Sequence, residues 1–181
     1  LTERGMAKPL AEKLQKEIFS FFGENPLTCE EYPRIINRRH YDRLLGLLDG
    51  AEVAFGGQGD PDTLKIQPTV LTDVSWEAPV MGEEIFGPIL PLFPYDDLEE
   101  SIQYITAHEK PLALYLFTQH KAVVEQVLNR CSFGGGCIND TILHLASQHQ
   151  PFGGGGDSGQ GRHHRQPTRR QRVVEGNRGE L

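Results

Sequence analysis

Leu10, Leu14, Ile18 and Phe21/Phe22 recur at helical spacing through residues 6–22, with Lys and Glu between them, and this predicts an amphipathic helix. Gly23 and Asn25-Pro26 end it. Leu44, Leu45, Leu47 and Leu48 mark a second helix over 37–48, with Gly50 as its stop. A short strand is expected at 52–55. The turn formers GGQGDPD at 56–62 follow, then an alternating strand over 65–71. Beyond these the chain predicts a strand at 89–93 and a helix at 96–107 with Leu98, Ile102 and Ile105 on one side. A strand at 113–117, a helix at 121–129 using Val123, Val124 and Val127, and a strand at 136–138 complete the series.

Short units of strand, helix, strand, helix, strand favour parallel pairing, because each crossover helix returns the chain to the same end of the sheet. The expected fold class is therefore α/β, an open, mostly parallel sheet with flanking helices. At 181 residues the chain suits one domain with a real core. From Gly134 onward glycines cluster, at 134–136 and 153–156 and again at Gly159 and Gly161. Such density marks turns or close backbone approach, and it falls after the last expected strand, where open α/β sheets place a ligand crevice.

Composition excludes several function classes. No stretch approaches the roughly 20 apolar residues of a membrane helix, and the first residues, LTERGMAKPL, have no signal-peptide apolar core. The net charge of −7 is uneven: residues 1–161 carry 12 Lys/Arg against 23 Asp/Glu, whereas 162–181 carry six Arg against two Glu. An acidic body argues against nucleic acid as a partner. Cys29, Cys131 and Cys137 are an odd number without CxxC spacing, which fits reduced thiols and a cytoplasmic location rather than a disulfide framework. The histidines show no H-x-x-x-H or H-E-x-x-H spacing; His144 and His149 bring no third ligand, so no metal site is expected.

Three segments carry chemistry. They are Glu83-Glu84-Ile85-Phe86-Gly87-Pro88, then Gly136-Cys137-Ile138-Asn139-Asp140, then Pro151-Phe152-Gly153-Gly154 followed by Ser158-Gly159. In this order and spacing they resemble the aldehyde dehydrogenase superfamily: its E-E-I-F-G-P signature, its G-x-x-x-N strand and its P-F-G-G loop. Residues 98–117 resemble the class 3-type branch. The resemblance runs from residue 3 to about 164.

That resemblance implies a catalytic-domain sheet incomplete at its N-terminal end, and a chain that is part of an NAD- or NADP-dependent oxidoreductase. Such an enzyme converts aldehydes to carboxylic acids through a thiohemiacetal and a thioester on a cysteine. It implies that Glu84 holds the nicotinamide ribose hydroxyls and that Phe86 packs beside the nicotinamide. It also implies that Phe152 lines the substrate channel, with Ile142 and Leu145 as further wall residues; apolar side chains there favour medium-chain aliphatic or aromatic aldehydes. In the family the nucleophilic cysteine, the general-base glutamate, the oxyanion-hole asparagine and the coenzyme domain lie upstream of these residues. No catalytic residue is therefore expected in this chain, and the chain alone is expected to be inactive. Cys137 reads as a buried small hydrophobe, and Asn139 as a residue bonding neighbouring loops at the end of its strand. A homodimer is the expected assembly. The alternative is a non-catalytic fragment or binding module that docks on an intact aldehyde dehydrogenase through an open sheet edge.

The terminal residues depart from the family. After His164 the chain reads RQPTRRQRVVEGNRGEL, without an aromatic residue. Two domains are thus expected, a partial catalytic domain at 1–161 and a basic, disordered tail at 162–181. The abrupt change has two explanations: a reading-frame change in the gene, or a divergent basic tail that contacts an acidic partner.

Overall fold

Helix α1 (Ala7–Phe22) ends at Gly23, which adopts φ +77° and whose amide donates to the Phe19 carbonyl. Positive φ carries no steric penalty in glycine, so the helix stops at the first residue able to turn away. In the computed structural model, residues 1–143 and 173–175 are described. The chain divides into two compact units, Leu1–Asp96 and Asp97–Leu181.

In the first unit, α1 and α2 (Arg38–Gly46) flank a three-stranded sheet made of β2 (Glu52–Phe55), β5 (Thr69–Thr72) and β6 (Ile89–Pro91), in the order β2-β5-β6. Asn37 caps α2, its side-chain oxygen accepting from the His40 amide at 2.9 Å, which satisfies a donor the helix cannot. Strand alternation divides the core. Val70 and Leu92 pack with Ala11, Leu10 and Leu14 of α1. The next residue of β5, Leu71, packs instead with Tyr41, Leu44 and Leu47, together with Ile66, Val80, Ile89 and Phe93. Successive residues of a strand face opposite sides, so β5 is covered by helix on both faces and Thr69, Val70 and Leu71 are all buried. Phe21 departs from the expected apolar face of α1: it is exposed, while Phe22 meets the Tyr32 ring edge-on at 4.9 Å.

The α/β class holds, with two qualifications. The strands are divided among four sheets rather than one, and part of the pairing is antiparallel. Strand β5 pairs parallel with β6 but antiparallel with β2. Parallel neighbours need a long crossover, and the path from β2 to β5 is filled by a hairpin, β3 (Gly59–Asp60) against β4 (Lys65–Ile66). This hairpin also corrects two expectations. Residues 56–62 are not turn throughout, and the strand expected over 65–71 is broken into β4 and β5 at Gln67-Pro68. Pro68 has no amide proton to continue a ladder. Its carbonyl lies so close to Gly56 (φ +83°) that a Cβ there would sit 2.3 Å away. A strand that the hydrophobic pattern does not show, β1 (Thr2–Glu3), pairs parallel with β7 (Pro94–Tyr95). Arg4 reinforces the pairing through a two-pronged bond to Asp96.

In the second unit, β8 (Ala113–Leu116), β9 (Gly135–Ile138) and β10 (Val173–Glu175) form an all-parallel sheet in the order β10-β9-β8. Helix α3 (Leu98–Ala107) begins at Asp97, whose carboxylate accepts from the Glu99 amide. It packs Ile102, with Leu98 and Ile105, against Val127 and Val123 of α4 (Lys121–Arg130) and against Cys131. Helix α4 is the crossover between β8 and β9, as the sequence pattern anticipates. Strand β10 lies within the expected tail: Val173 and Val174 pair opposite Gly136 and Cys137 and are half-buried. These residues are ordered as a strand, because β9 offers an open ladder for them to complete.

Candidate functional site

Residues 83–88 form a loop that precedes β6 in the first unit. Its far end is fastened to the sheet, where the Thr69 amide donates to the Pro88 carbonyl at 2.8 Å. Its near end is fastened to α2. Arg43 donates through Nη1 to Glu83 Oε1 at 2.8 Å and through Nη2 to the Ile85 carbonyl at 2.6 Å, with a longer 3.5 Å contact from Nη1 to the Glu84 carbonyl. A planar guanidinium reaches several acceptors at once, a geometry that a point-charge ammonium cannot reproduce.

Between these fastenings Phe86 adopts φ +47°. A bulky L-residue in that region carries strain of about 1–3 kcal/mol, which persists only where the surroundings over-determine the backbone. The result is an aromatic ring held outward: Phe86 is 81% exposed. Gly87 then passes against α2 so closely that a Cβ would lie 2.5 Å from Leu44 Cδ2. Glu84 joins the Arg43 network through its carbonyl alone. Its side chain is exposed and has no hydrogen-bond or ion-pair partner among the described residues. A carboxylate in that position is free to accept two hydroxyl hydrogen bonds from a bound molecule.

The substrate-side candidates belong to the second unit. Ile142 is 61% exposed with φ +64°, on the segment that leaves β9. Leu145 and Phe152 lie outside the described residues, as do the glycines at 153–156 and His144, His149, His163 and His164. Asn139 closes the end of β9, bonding both backbone groups of Thr118. This is the loop-bridging role its residue type suggests.

The cysteines lie in three settings. Cys137 is buried at the centre of β9, opposite Tyr115 on one side and Val174 on the other. Cys131 is buried against Ile102 and Val127. Cys29 is half-buried, its Sγ 3.4 Å from Glu31 Oε2. Among the described residues no three His, Cys, Asp or Glu side chains gather as a metal site requires. No described helix is long and apolar enough to cross a membrane.

The family is settled by comparison with known sequences: the Aldehyde dehydrogenase family matches residues 2–171. The chain belongs to the aldehyde dehydrogenase family. The match runs past His164. Among curated relatives, aldehyde dehydrogenase family 3 member B1 of Rattus norvegicus is 49% identical over 91% of this chain and 35% of its own length. The dimeric NADP-preferring aldehyde dehydrogenase of Bos taurus is 46% identical over 91% of this chain and 69% of its own. A substrate-bound structure of Staphylococcus aureus AldH is similar with a TM-score of 0.86 and 44% identity, covering 91% of this chain and 36% of that one. The chain thus spans about a third of the length of the rat and bacterial relatives.

Arg43 is the residue of this site that the sequence does not announce. It stands 42 positions from Ile85, on the polar side of α2, and no motif spacing links the two.

Proposed function

We propose that this chain supplies the nicotinamide-ribose contact and part of the substrate wall of an enzyme that oxidises aldehydes to carboxylic acids. The overall change consumes an aldehyde, water and NAD(P)+ and yields an acid, NAD(P)H and a proton. The observation that carries this reading is the loop at 83–88. The Glu84 carboxylate is exposed and unengaged among the described residues, while the backbone around it is fastened to α2 and to β5.

The residues present fit a dinucleotide's nicotinamide end. Bound there, NAD or NADP would supply the hydride acceptor. Glu84 accepts the two ribose hydroxyls and so fixes the sugar's orientation, which matters because hydride transfer depends steeply on geometry. Phe86 presents an apolar face beside the nicotinamide and excludes water from it. Ile142, Leu145 and Phe152 form the wall for the aldehyde's apolar tail. The cysteine that carries the thiohemiacetal and thioester, and the glutamate that activates water, come from sequence other than these 181 residues. The burial of Cys137 and Cys131 supports that assignment, since a nucleophilic thiolate needs an accessible, charge-stabilising surrounding. A homodimer is consistent with the bovine relative's description as dimeric. A cytoplasmic location rests on the cysteine usage.

The test is aldehyde-dependent NAD(P)H production by the isolated chain and by the full-length enzyme. The chain alone gives none. In the full-length enzyme, Glu84→Gln lowers turnover through the coenzyme while leaving the KM for aldehyde in place. Turnover by the isolated chain that Cys137→Ala abolishes would overturn the assignment of the cysteines.

A further inference from the structure

We propose that Arg43 is the positioning residue for the coenzyme contact: from α2, its guanidinium sets the backbone of residues 83–85 and thereby aims Glu84 and Phe86. This rests on the reading of Glu84 and Phe86 given above, and it adds a residue which that reading does not contain.

Adjacent residues of one helix hold the loop on both sides of Phe86. Ahead of it, Arg43 binds a carboxylate and carbonyls on three successive residues, Glu83, Glu84 and Ile85. Behind it, the fully buried Leu44 occupies the space where any side chain at position 87 would go. Leu44 is anchored in turn by the core it shares with Leu71, Ile89 and Val80. The left-handed backbone of Phe86 therefore sits between two restraints that originate on one rigid element. A loop with an exposed aromatic and an exposed acid has little of its own to hold that shape.

Chemistry selects arginine at this position. The Ile85 carbonyl and the Glu83 carboxylate lie on different nitrogens of the guanidinium, 2.6 and 2.8 Å away. Lysine can reach one of them, and methionine neither. Arg43 is itself largely covered, its side chain 25% exposed against 47% for Glu83, so its bonds suffer less competition from water than those of a surface pair. Loss of both bonds to a charged donor should weaken coenzyme binding by about tenfold.

Two measurements test this. In the isolated chain, a glutamyl endopeptidase should cut after Glu83 and Glu84 about tenfold faster in Arg43→Met than in the parent, with Arg43→Lys between them. Cleavage at Glu12 and Glu17 of α1 should be unchanged, which separates local release of the loop from general unfolding. In the full-length enzyme, Arg43→Met should raise the KM for NAD(P)+ about tenfold with the KM for aldehyde unmoved. Arg43→Lys should recover part of the loss, and Glu83→Gln, which keeps the carbonyl bonds, should have a smaller effect. Glu84→Ala, run beside them, separates the two ideas. If Glu84→Ala raises the coenzyme KM and Arg43→Met does not, the positioning role is wrong and the coenzyme reading stands. If neither does, both are overturned. Unaltered cleavage at 83–84 in Arg43→Met likewise overturns the proposal.

Discussion

The Asn139 side chain mimics a strand for Thr118: its oxygen accepts from the Thr118 amide at 2.9 Å and its nitrogen donates to the Thr118 carbonyl at 3.1 Å. It does so at the point where β8 and β9 both end, from a backbone at φ +56°, a region that asparagine tolerates better than most residues. The Asn139 amide also donates to the Leu116 carbonyl. The ladder between β8 and β9 is therefore extended by a side chain after its backbone pairing stops, and this fixes how the chain leaves the sheet towards Ile142.

Replacing Asn139 by alanine removes both bonds and places a Cβ residue without compensating contacts in a left-handed conformation. The expected loss is about 1–3 kcal/mol of stability in the second unit, read from the denaturant midpoint at constant slope. Asn139→Gly relieves the backbone while losing the same bonds, so it should fall between alanine and the parent. An alanine variant as stable as the parent, which gains no backbone relief, would mean that the two bonds contribute nothing.

Tyr32 ties the end of α1 to the β3–β4 hairpin. Its ring receives Phe22 edge-on, and its hydroxyl donates to the Ile66 carbonyl at 2.6 Å in a buried setting. Tyr32→Phe leaves that carbonyl unsatisfied and should cost about 1–3 kcal/mol. Burial pushes the Tyr32 hydroxyl up to about 12, above the value near 10 of an unfolded chain. The sign follows: the stability that comes from burying a neutral hydroxyl is fully present below about pH 10 and is lost as pH rises from about 10 towards about 12, because the unfolded chain ionises first. Burial also pushes the Tyr41 and Tyr95 hydroxyls up, so ultraviolet titration of tyrosinate should show several late-ionising groups, of which Tyr32→Phe deletes one. A variant with an unchanged titration curve would refute the assignment.

The helices were legible because each has an apolar stripe, and α1, α2 and α3 have a stop or cap as well. Leu98, Ile102 and Ile105 line one side of α3, and the first turn begins on Asp97. What escaped the pattern is non-local. Thr2–Glu3 has no periodicity to display, and it is a strand because Pro94–Tyr95 lies alongside it. Val173–Glu175 sits in a polar, arginine-rich stretch and is a strand because β9 offers a free ladder. The break at Gln67-Pro68 was present in the sequence as a proline, but alternating residues on either side masked it. In the candidate loop, Glu84 and Phe86 were singled out through a motif, and the structure adds why that loop has its shape. Arg43 could not be singled out that way, because helical periodicity assigns it to solvent and only the folded contact with Ile85 brings it to the loop. Leu145 and Phe152 lie outside the described residues, so the wall rests on the sequence resemblance.

Glu99 joins α3 to α4. Arg130 holds its carboxylate with two nitrogens, the Nη2 bond measuring 2.6 Å, and Gln103 Nε2 adds a third bond at 3.1 Å. The Arg130 hydrogen bonds above all, then Gln103, bring the Glu99 carboxyl down to about 2, against about 4.3 for an unfolded chain. Because the folded value is the lower one, the pair stabilises the unit above pH about 4.3, and this contribution fades as pH falls towards about 2. Both side chains are more than a third exposed, so the effect should be modest and sensitive to salt. Carbon-detected NMR of the Glu99 carboxyl should show a titration far below the ordinary glutamate value of about 4.3. It should move up towards the ordinary range in Arg130→Gln, and to a lesser extent in about 1 M salt, where the Debye length shrinks to about 3 Å. A midpoint that stays put in Arg130→Gln would show that the bonds to Arg130 are not what depress it.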